Sequence, residues 1–138
     1  SGPLIIKGLL HADDALKAAE LGLDGIVVSN HGARQLDVAP SPITMFPSIK
    51  AAVGDKMTLM LESGVRRGSD IVIAKCLGAQ FCFFGRPTLY AVAALGQEGA
   101  DQVFAILRRE LQAILTQIGC QNFDDLNERF LLRAGQQP

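Results

Sequence analysis

His31 and Arg34, three residues apart, are the side chains in this sequence best placed to do chemistry together. They lie in the stretch Ser29-Asn30-His31-Gly32-Ala33-Arg34-Gln35-Leu36-Asp37, directly after the apolar run Gly25-Ile26-Val27-Val28. Such a run reads as a buried parallel strand, which puts an imidazole and a guanidinium at its mouth. An imidazole titrates near neutral pH and accepts a proton, whereas a guanidinium holds a carboxylate through paired hydrogen bonds. The pair can therefore serve as proton acceptor and carboxylate clamp.

Two further stretches suit an anion. Glu62-Ser63-Gly64-Val65-Arg66-Arg67-Gly68 follows one apolar run and Gly85-Arg86-Pro87 follows the next. Glycines there leave backbone N–H groups open to a ligand, a helix N-terminus adds positive potential, and arginine pairs with phosphate. Lys7 ends another apolar run, Leu4-Ile5-Ile6, and must reach water, a counter-ion or a ligand because burying it alone is costly. His11 has no comparable company and reads as a residue at a helix N-terminus.

The elements that must position these groups alternate. Strands are expected over 4–8, 25–30, 57–62 and 81–84. Helices are expected over 11–21, 43–53 and 71–77, the last opened by Ser69-Asp70, and again over 88–95 after Pro87. A longer helix over 100–118 carries Val103, Phe104, Leu107, Leu111, Ile114, Leu115 and Ile118 on one stripe. Gly22, Gly78 and Gly119-Cys120 end three of these helices, and Pro47 falls inside another. The loop from His31 to about Pro42 is long and rich in polar residues, Gly and Pro, as site-bearing loops are. Residues 120–138, with Phe123, Leu126, Phe130 and Leu131, read as a short docking segment and a frayed tail.

Four strand–helix units with their chemistry at the strand C-termini have the register of a (β/α)8 barrel, whose active site lies on that face. Barrels often bind phosphate in the loops after strands seven and eight, which is where the two glycine-arginine loops fall if these are the last strands of eight. A closed barrel takes about 250 residues, and this chain has 138. Four units alone leave two long apolar edges open. The expected fold is thus α/β, the C-terminal half of a TIM barrel plus a long C-terminal helix. Residues 1–119 form the units and long helix, residues 120–138 the docking segment and tail, and the chain is one piece of a longer or two-chain protein.

Composition supports a buried α/β core, with 49% hydrophobic residues. The net charge of -1 provides no electrostatic footprint for nucleic acid. Cys76, Cys82 and Cys120 are widely spaced, without a CxxC pair or a Cys/His cluster, so they read as reduced thiols and no metal is expected.

Taken in order and with their intervals, Lys7-Gly8, the Ser29–Asp37 stretch, Ser63-Gly64-Val65-Arg66-Arg67-Gly68-Ser69-Asp70 and Gly85-Arg86-Pro87 resemble the FMN-dependent α-hydroxy-acid dehydrogenase/oxidase family. That family includes glycolate oxidase, L-lactate dehydrogenases and (S)-mandelate dehydrogenase. The resemblance covers nearly the whole chain, and the end of the long helix, Gln117-Ile118-Gly119-Cys120, leans toward the mandelate and bacterial lactate dehydrogenase branch.

The resemblance implies oxidation of an (S)-2-hydroxy acid to the 2-oxo acid, with FMN as cofactor. His31 matches the proton acceptor for the α-hydroxyl, and Arg34 the group that binds the substrate carboxylate. Lys7 matches a lysine at the pyrimidine side of the flavin, where a cation stabilises the reduced ring. Ser29 matches a flavin hydrogen-bonding residue. Glu62, Ser63, Gly64, Val65 and Arg66, with Gly85 and Arg86, match the segments that hold the ribityl chain and phosphate. The family usually has aspartate where this chain has Glu62. Its upstream half supplies aromatic substrate contacts, further flavin contacts and a carboxylate that raises the basicity of the histidine, and none of these is matched here. The implied partners are a small 2-hydroxy acid, the N-terminal half of the same barrel, and further copies in a tetramer. The implied location is the cytoplasm or the cytoplasmic face of the inner membrane. Two other readings are a flavin-free barrel that binds a sugar phosphate, against which the Ser29–Asp37 stretch argues, and a non-catalytic half-barrel scaffold.

Overall fold

The computed structural model describes residues 2–132, which form two compact units, one of residues up to 65 with 78–83, the other of residues 66–77 with those from 84 onward.

The first unit holds a four-stranded parallel sheet in the order β1-β2-β3-β4, formed by Ile5–Leu9, Gly25–Val28, Thr58–Glu62 and Phe81–Phe83. This sequential parallel order is that of consecutive units of a (β/α)8 barrel. The central strands are the apolar ones, with β2 wholly buried and Leu59, Met60 and Leu61 of β3 buried beside it. The outer strands are not: Leu4 and Ile5 at one edge, and Phe81 and Phe83 at the other, are exposed.

Two helices pack on this sheet, α1 (Ala12–Glu20) and α2 (Pro42–Val53). Asp13 and Asp14 in the first turn of α1 and Lys17 in its last complement the helix dipole. The Nδ1 of His11 caps it by accepting the Asp13 N–H at 3.2 Å. α2 starts one residue earlier than expected because Pro42 suits a first helical position, where its missing N–H costs nothing. Pro47 remains inside it. Phe46, Ile49 and Val53, spaced three and four apart, are buried beneath it, each contributing roughly 1.5–3 kcal/mol by leaving water.

β1 is shifted by one residue from the expected span, and Lys7-Gly8 lies within it rather than at its end. Lys7 pairs with Val27 and Leu9 with Val28, so Gly8 is an extra residue, a bulge, at φ 102. A bulge re-aims the side chains around it, and only glycine takes that φ without strain. β2 stops at Val28, two residues short of expectation, because left-handed backbone follows soon after.

The second unit is helical: α3 (Gly68–Cys76), α4 (Arg86–Leu95) and α5 (Glu98–Gln117), then short 3-10 turns at Phe123–Asp125 and Glu128–Phe130. Its core is Val72, Cys76, Leu115, Cys120 and Leu126, with Leu111, Ile114, Phe123, Phe130 and Leu131 packed against it. Cys120, Phe123, Leu126, Phe130 and Leu131 thus pack against side chains of α3 and α5. Lys75 secures them through Asp124 at 3.0 Å. The expected frayed tail falls on 133–138, outside the described residues. Of the α5 stripe, Leu107 and Leu115 are buried, whereas Phe104 is exposed and tilts against Phe84.

Candidate active site

The backbone just after β2 turns left-handed. His31, Gly32 and Ala33 have φ of 56, 69 and 60°, and Asn30 caps the turn by accepting the Gly32 N–H at 3.0 Å. Two of these residues carry side chains, for which that conformation costs about 1–2 kcal/mol each, so other contacts must hold the turn. Its effect is to leave both His31 and Arg34 exposed. Among the described residues, no protein partner engages the imidazole of His31 or the guanidinium of Arg34.

The imidazole lies across the bulge. A Cβ at Gly8 would fall 2.6 Å from His31 Cε1. Lys7, beside it in sequence, places its ammonium 3.5 Å from Oε2 of Glu62 at the end of β3, with 46% of the lysine side chain and 17% of the glutamate side chain exposed. Lys7, Ser29, His31, Glu62 and Ser63 therefore gather at one end of the sheet.

Glu62 is the hub. Its Oε2 accepts a hydrogen bond from Ser29 Oγ and another from Ser63 Oγ at 2.8 Å. Burial is the largest single influence on its carboxyl and pushes the pKa up. The two serine hydroxyls and the Lys7 ammonium together outweigh that and hold it below the usual glutamate value. Among the described residues both serine hydroxyls and the Lys7 ammonium converge on Oε2, and Oε1 accepts no hydrogen bond. Ser29 is fully buried, and its hydroxyl is committed inward to Glu62 and to the His31 N–H, which it accepts at 3.0 Å.

Gly64 and Val65 continue from the same strand. Gly64 is exposed, with open space where a side chain would stand. In the second unit, Arg66, Gly85 and Arg86 are exposed. The N-terminus of α3, expected to attract an anion, already has carboxylates on it. Asp70 accepts the Arg66 and Arg67 N–H groups at 2.8 and 2.9 Å, and Glu110 accepts that of Gly68 at 2.7 Å. The Arg66 side chain, and not its backbone, is what this end of the loop can offer an anion. Asp70, expected to open this helix, does so by receiving the N–H groups just before it, whereas nothing in the sequence pointed to Glu110. The role of Gly8 was likewise missed; its signal was a glycine directly after a strand lysine.

A profile of the FMN-dependent dehydrogenase family matches residues 1–133, and the chain belongs to that family. It is 47% identical over 124 residues to a peroxisomal (S)-2-hydroxyacid oxidase of Arabidopsis thaliana, covering 90% of this chain and 34% of the relative. It is 45% identical over 129 residues to an L-lactate oxidase of a Nostoc species, covering 94% and 35%. A soluble mutant of the membrane-associated (S)-mandelate dehydrogenase from Pseudomonas putida superposes with a TM-score of 0.90 at 42% identity, over 96% of this chain and 37% of that one. The chain spans about a third of the length of the relatives it matches. Its strand–helix units correspond to part of the barrel of the FMN-dependent dehydrogenases.

Proposed function

We propose that this chain supplies the substrate-handling half of an FMN-dependent enzyme that oxidises an (S)-2-hydroxy acid of the lactate or mandelate class to the 2-oxo acid. The observation that carries this reading is His31, exposed and tied through Ser29 to the Lys7–Glu62 ion pair at the end of a parallel sheet, with Arg34 exposed three residues on. The names of the relatives, a 2-hydroxyacid oxidase, a lactate oxidase and a mandelate dehydrogenase, agree with it.

The groups present fit FMN. The unpaired Glu62 Oε1 suits a ribityl hydroxyl, and the half-exposed Lys7 ammonium suits the pyrimidine edge of the ring. Ser29 and Ser63 keep Glu62 in place, and the exposed backbone at Gly64 admits close approach, while Val65 beside it is buried in the core. The family resemblance assigns the phosphate to Arg66, Gly85 and Arg86, which lie in the second unit and are exposed there. When bound, FMN would accept the hydride equivalent, two electrons with the α-hydrogen, that leaves the α-carbon. Arg34 holds the substrate carboxylate through paired hydrogen bonds, which fixes the α-carbon and its hydroxyl. A ring nitrogen of His31 accepts the hydroxyl proton, and the charge that results sits on an exposed imidazole.

The reading includes an N-terminal half-barrel. It closes the sheet edges at Leu4–Ile5 and Phe81–Phe83 and adds the carboxylate that steadies protonated His31, so residues 1–138 alone are inactive. Within them, 1–119 form the barrel units and long helix, and 120–138 the docking segment. The assembled enzyme is a tetramer in the cytoplasm or at the cytoplasmic face of the inner membrane; among the described residues no helix is long and apolar enough to cross a membrane.

The test is the visible absorption spectrum of the purified full-length protein. Flavin bands that bleach anaerobically on adding L-lactate or (S)-mandelate are expected. Protein that stays colourless after incubation with FMN, or yellow protein that neither acid bleaches, overturns the reading.

A further inference from the structure

Ser63 sits at φ 81, in the left-handed region that favours glycine, directly after Glu62. A side chain held there at a cost of about 1–2 kcal/mol calls for a compensating contact. Ser63 has two. Its Oγ accepts the Gly32 N–H at 2.9 Å and donates to Glu62 Oε2 at 2.8 Å. Ser29 repeats the pattern one residue along, accepting the His31 N–H at 3.0 Å and donating to the same Oε2.

Proton bookkeeping leaves one arrangement. Backbone amides can only donate, so both hydroxyls receive from the turn through a lone pair. An ionised carboxylate can only accept, so each hydroxyl spends its single proton on Glu62. One carboxylate oxygen thereby orients two hydroxyls, and these present their lone pairs to two successive N–H groups of the His31 turn. Asn30 also receives the Gly32 N–H, at 3.0 Å, but Asn30 belongs to the turn and cannot tie it to β3. Ser63 and Glu62 can.

We propose that Glu62 and Ser63 form a clamp that fixes the left-handed turn carrying His31, so that both are positioning residues for the proton-acceptor imidazole. This deepens the reading of His31 given above and rests on it. The longer glutamate, where the family usually has aspartate, spans from the β3 backbone to both hydroxyls. The unpaired Oε1 stays available for the ribityl chain, so the two duties of Glu62 do not compete.

The test uses three variants of the full-length FMN-loaded protein. Ser63→Gly relieves the backbone strain and so folds, but removes the hydroxyl. Glu62→Gln keeps an oxygen that can accept from both serines. His31→Ala reports on the proton-acceptor role. Hydrogen exchange of the backbone over residues 30–34 and the rate of flavin reduction by substrate are measured for each. In Ser63→Gly, exchange over 30–34 rises about fivefold, as for the loss of one ordinary hydrogen bond. Its reduction rate constant falls with substrate KM nearly unchanged, while Glu62→Gln retains near-native exchange. Unchanged exchange over 30–34 in Ser63→Gly overturns the clamp, whatever the rate does. Faster exchange with an unchanged rate, in a protein whose His31→Ala variant is inactive, overturns the positioning role. If His31→Ala itself reduces flavin at the native rate, the proton-acceptor reading falls, and exchange still decides the clamp.

Discussion

The ring of His31 occupies the space that a side chain on Gly8 would need: a Cβ there would come within 2.6 Å of His31 Cε1 and 3.4 Å of Nδ1. Gly8 is also the bulged residue of β1, at φ 102. The glycine therefore has two separable reasons to be a glycine, one in its own backbone and one in the neighbour it admits.

Gly8→Ala should fail on both counts. The strained φ is expected to lower stability by about 1–3 kcal/mol, seen as a lower midpoint in urea unfolding. The displaced imidazole should slow flavin reduction by about 100-fold or more, since small misplacements of a reacting group are felt strongly. Loss of stability with an unchanged reduction rate would show that the ring does not need its seat over Gly8.

His31 and Arg34 should separate kinetically. His31→Ala leaves yellow, FMN-loaded protein and lowers the flavin-reduction rate constant by about 10²–10⁴-fold, the usual weight of a general base. Arg34→Lys keeps the charge but not the planar fork, and is expected to raise the KM for the hydroxy acid by roughly tenfold or more. Stopped-flow reduction over a range of substrate concentrations measures both. A histidine variant that bleaches as fast as the parent would remove His31 from the chemistry.

Acid should loosen the site through Glu62. Its folded-state pKa lies below the ordinary value of 4.5 because the serine hydroxyls and Lys7 outweigh burial. The stability this contributes is complete above the unfolded-state value and is lost as pH falls through the folded one. Between neutral pH and about 4.5, Glu62→Gln and the parent should therefore differ by a constant amount. Below that, the parent should lose stability more steeply. Urea midpoints across this range give the comparison, and parallel curves down to the lowest pH would show that Glu62 carries no such linkage.

Cys82 should be inert. Burial pushes its thiol up to about 11, so little thiolate exists at neutral pH and alkylation by iodoacetamide should be slow in the folded protein. Rapid modification of Cys82 under native conditions, read by peptide mass spectrometry, would show that its partial burial does not suppress the thiolate.

Strands and helices were legible because apolar runs and 3.6-residue stripes are strong signals. Ile26–Val28 and Leu59–Leu61 could hardly be anything but central strands. The boundaries that slipped did so for local backbone reasons. Leu9 re-pairs beyond a bulge, β2 ends ahead of a left-handed turn, and α3 begins at Gly68 because Asp70 receives the N–H groups just before it. The site residues were visible as types in sequence, but their partnerships were not. That Ser29 reaches Glu62, that Ser63 receives the Gly32 N–H, and that Glu110 closes the end of α3 all depend on contacts between residues 31 to 42 positions apart. A strand-and-loop pattern encodes where such groups start, and only the folded chain decides which of them meet.

The bare rims of the sheet also have a consequence in time. Leu4 and Phe81, 63% and 57% exposed, belong to or adjoin parallel strands whose outer backbone can pair with any strand that arrives. Two fates then compete: capture by the complementary strands of a barrel, which is first order when they are on the same polypeptide, and pairing with another copy, which rises with concentration. Dilution and slow synthesis favour the first, and crowding of nascent chains favours the second. Yield of soluble protein should therefore depend on how fast the chain is made, even at constant thermodynamic stability.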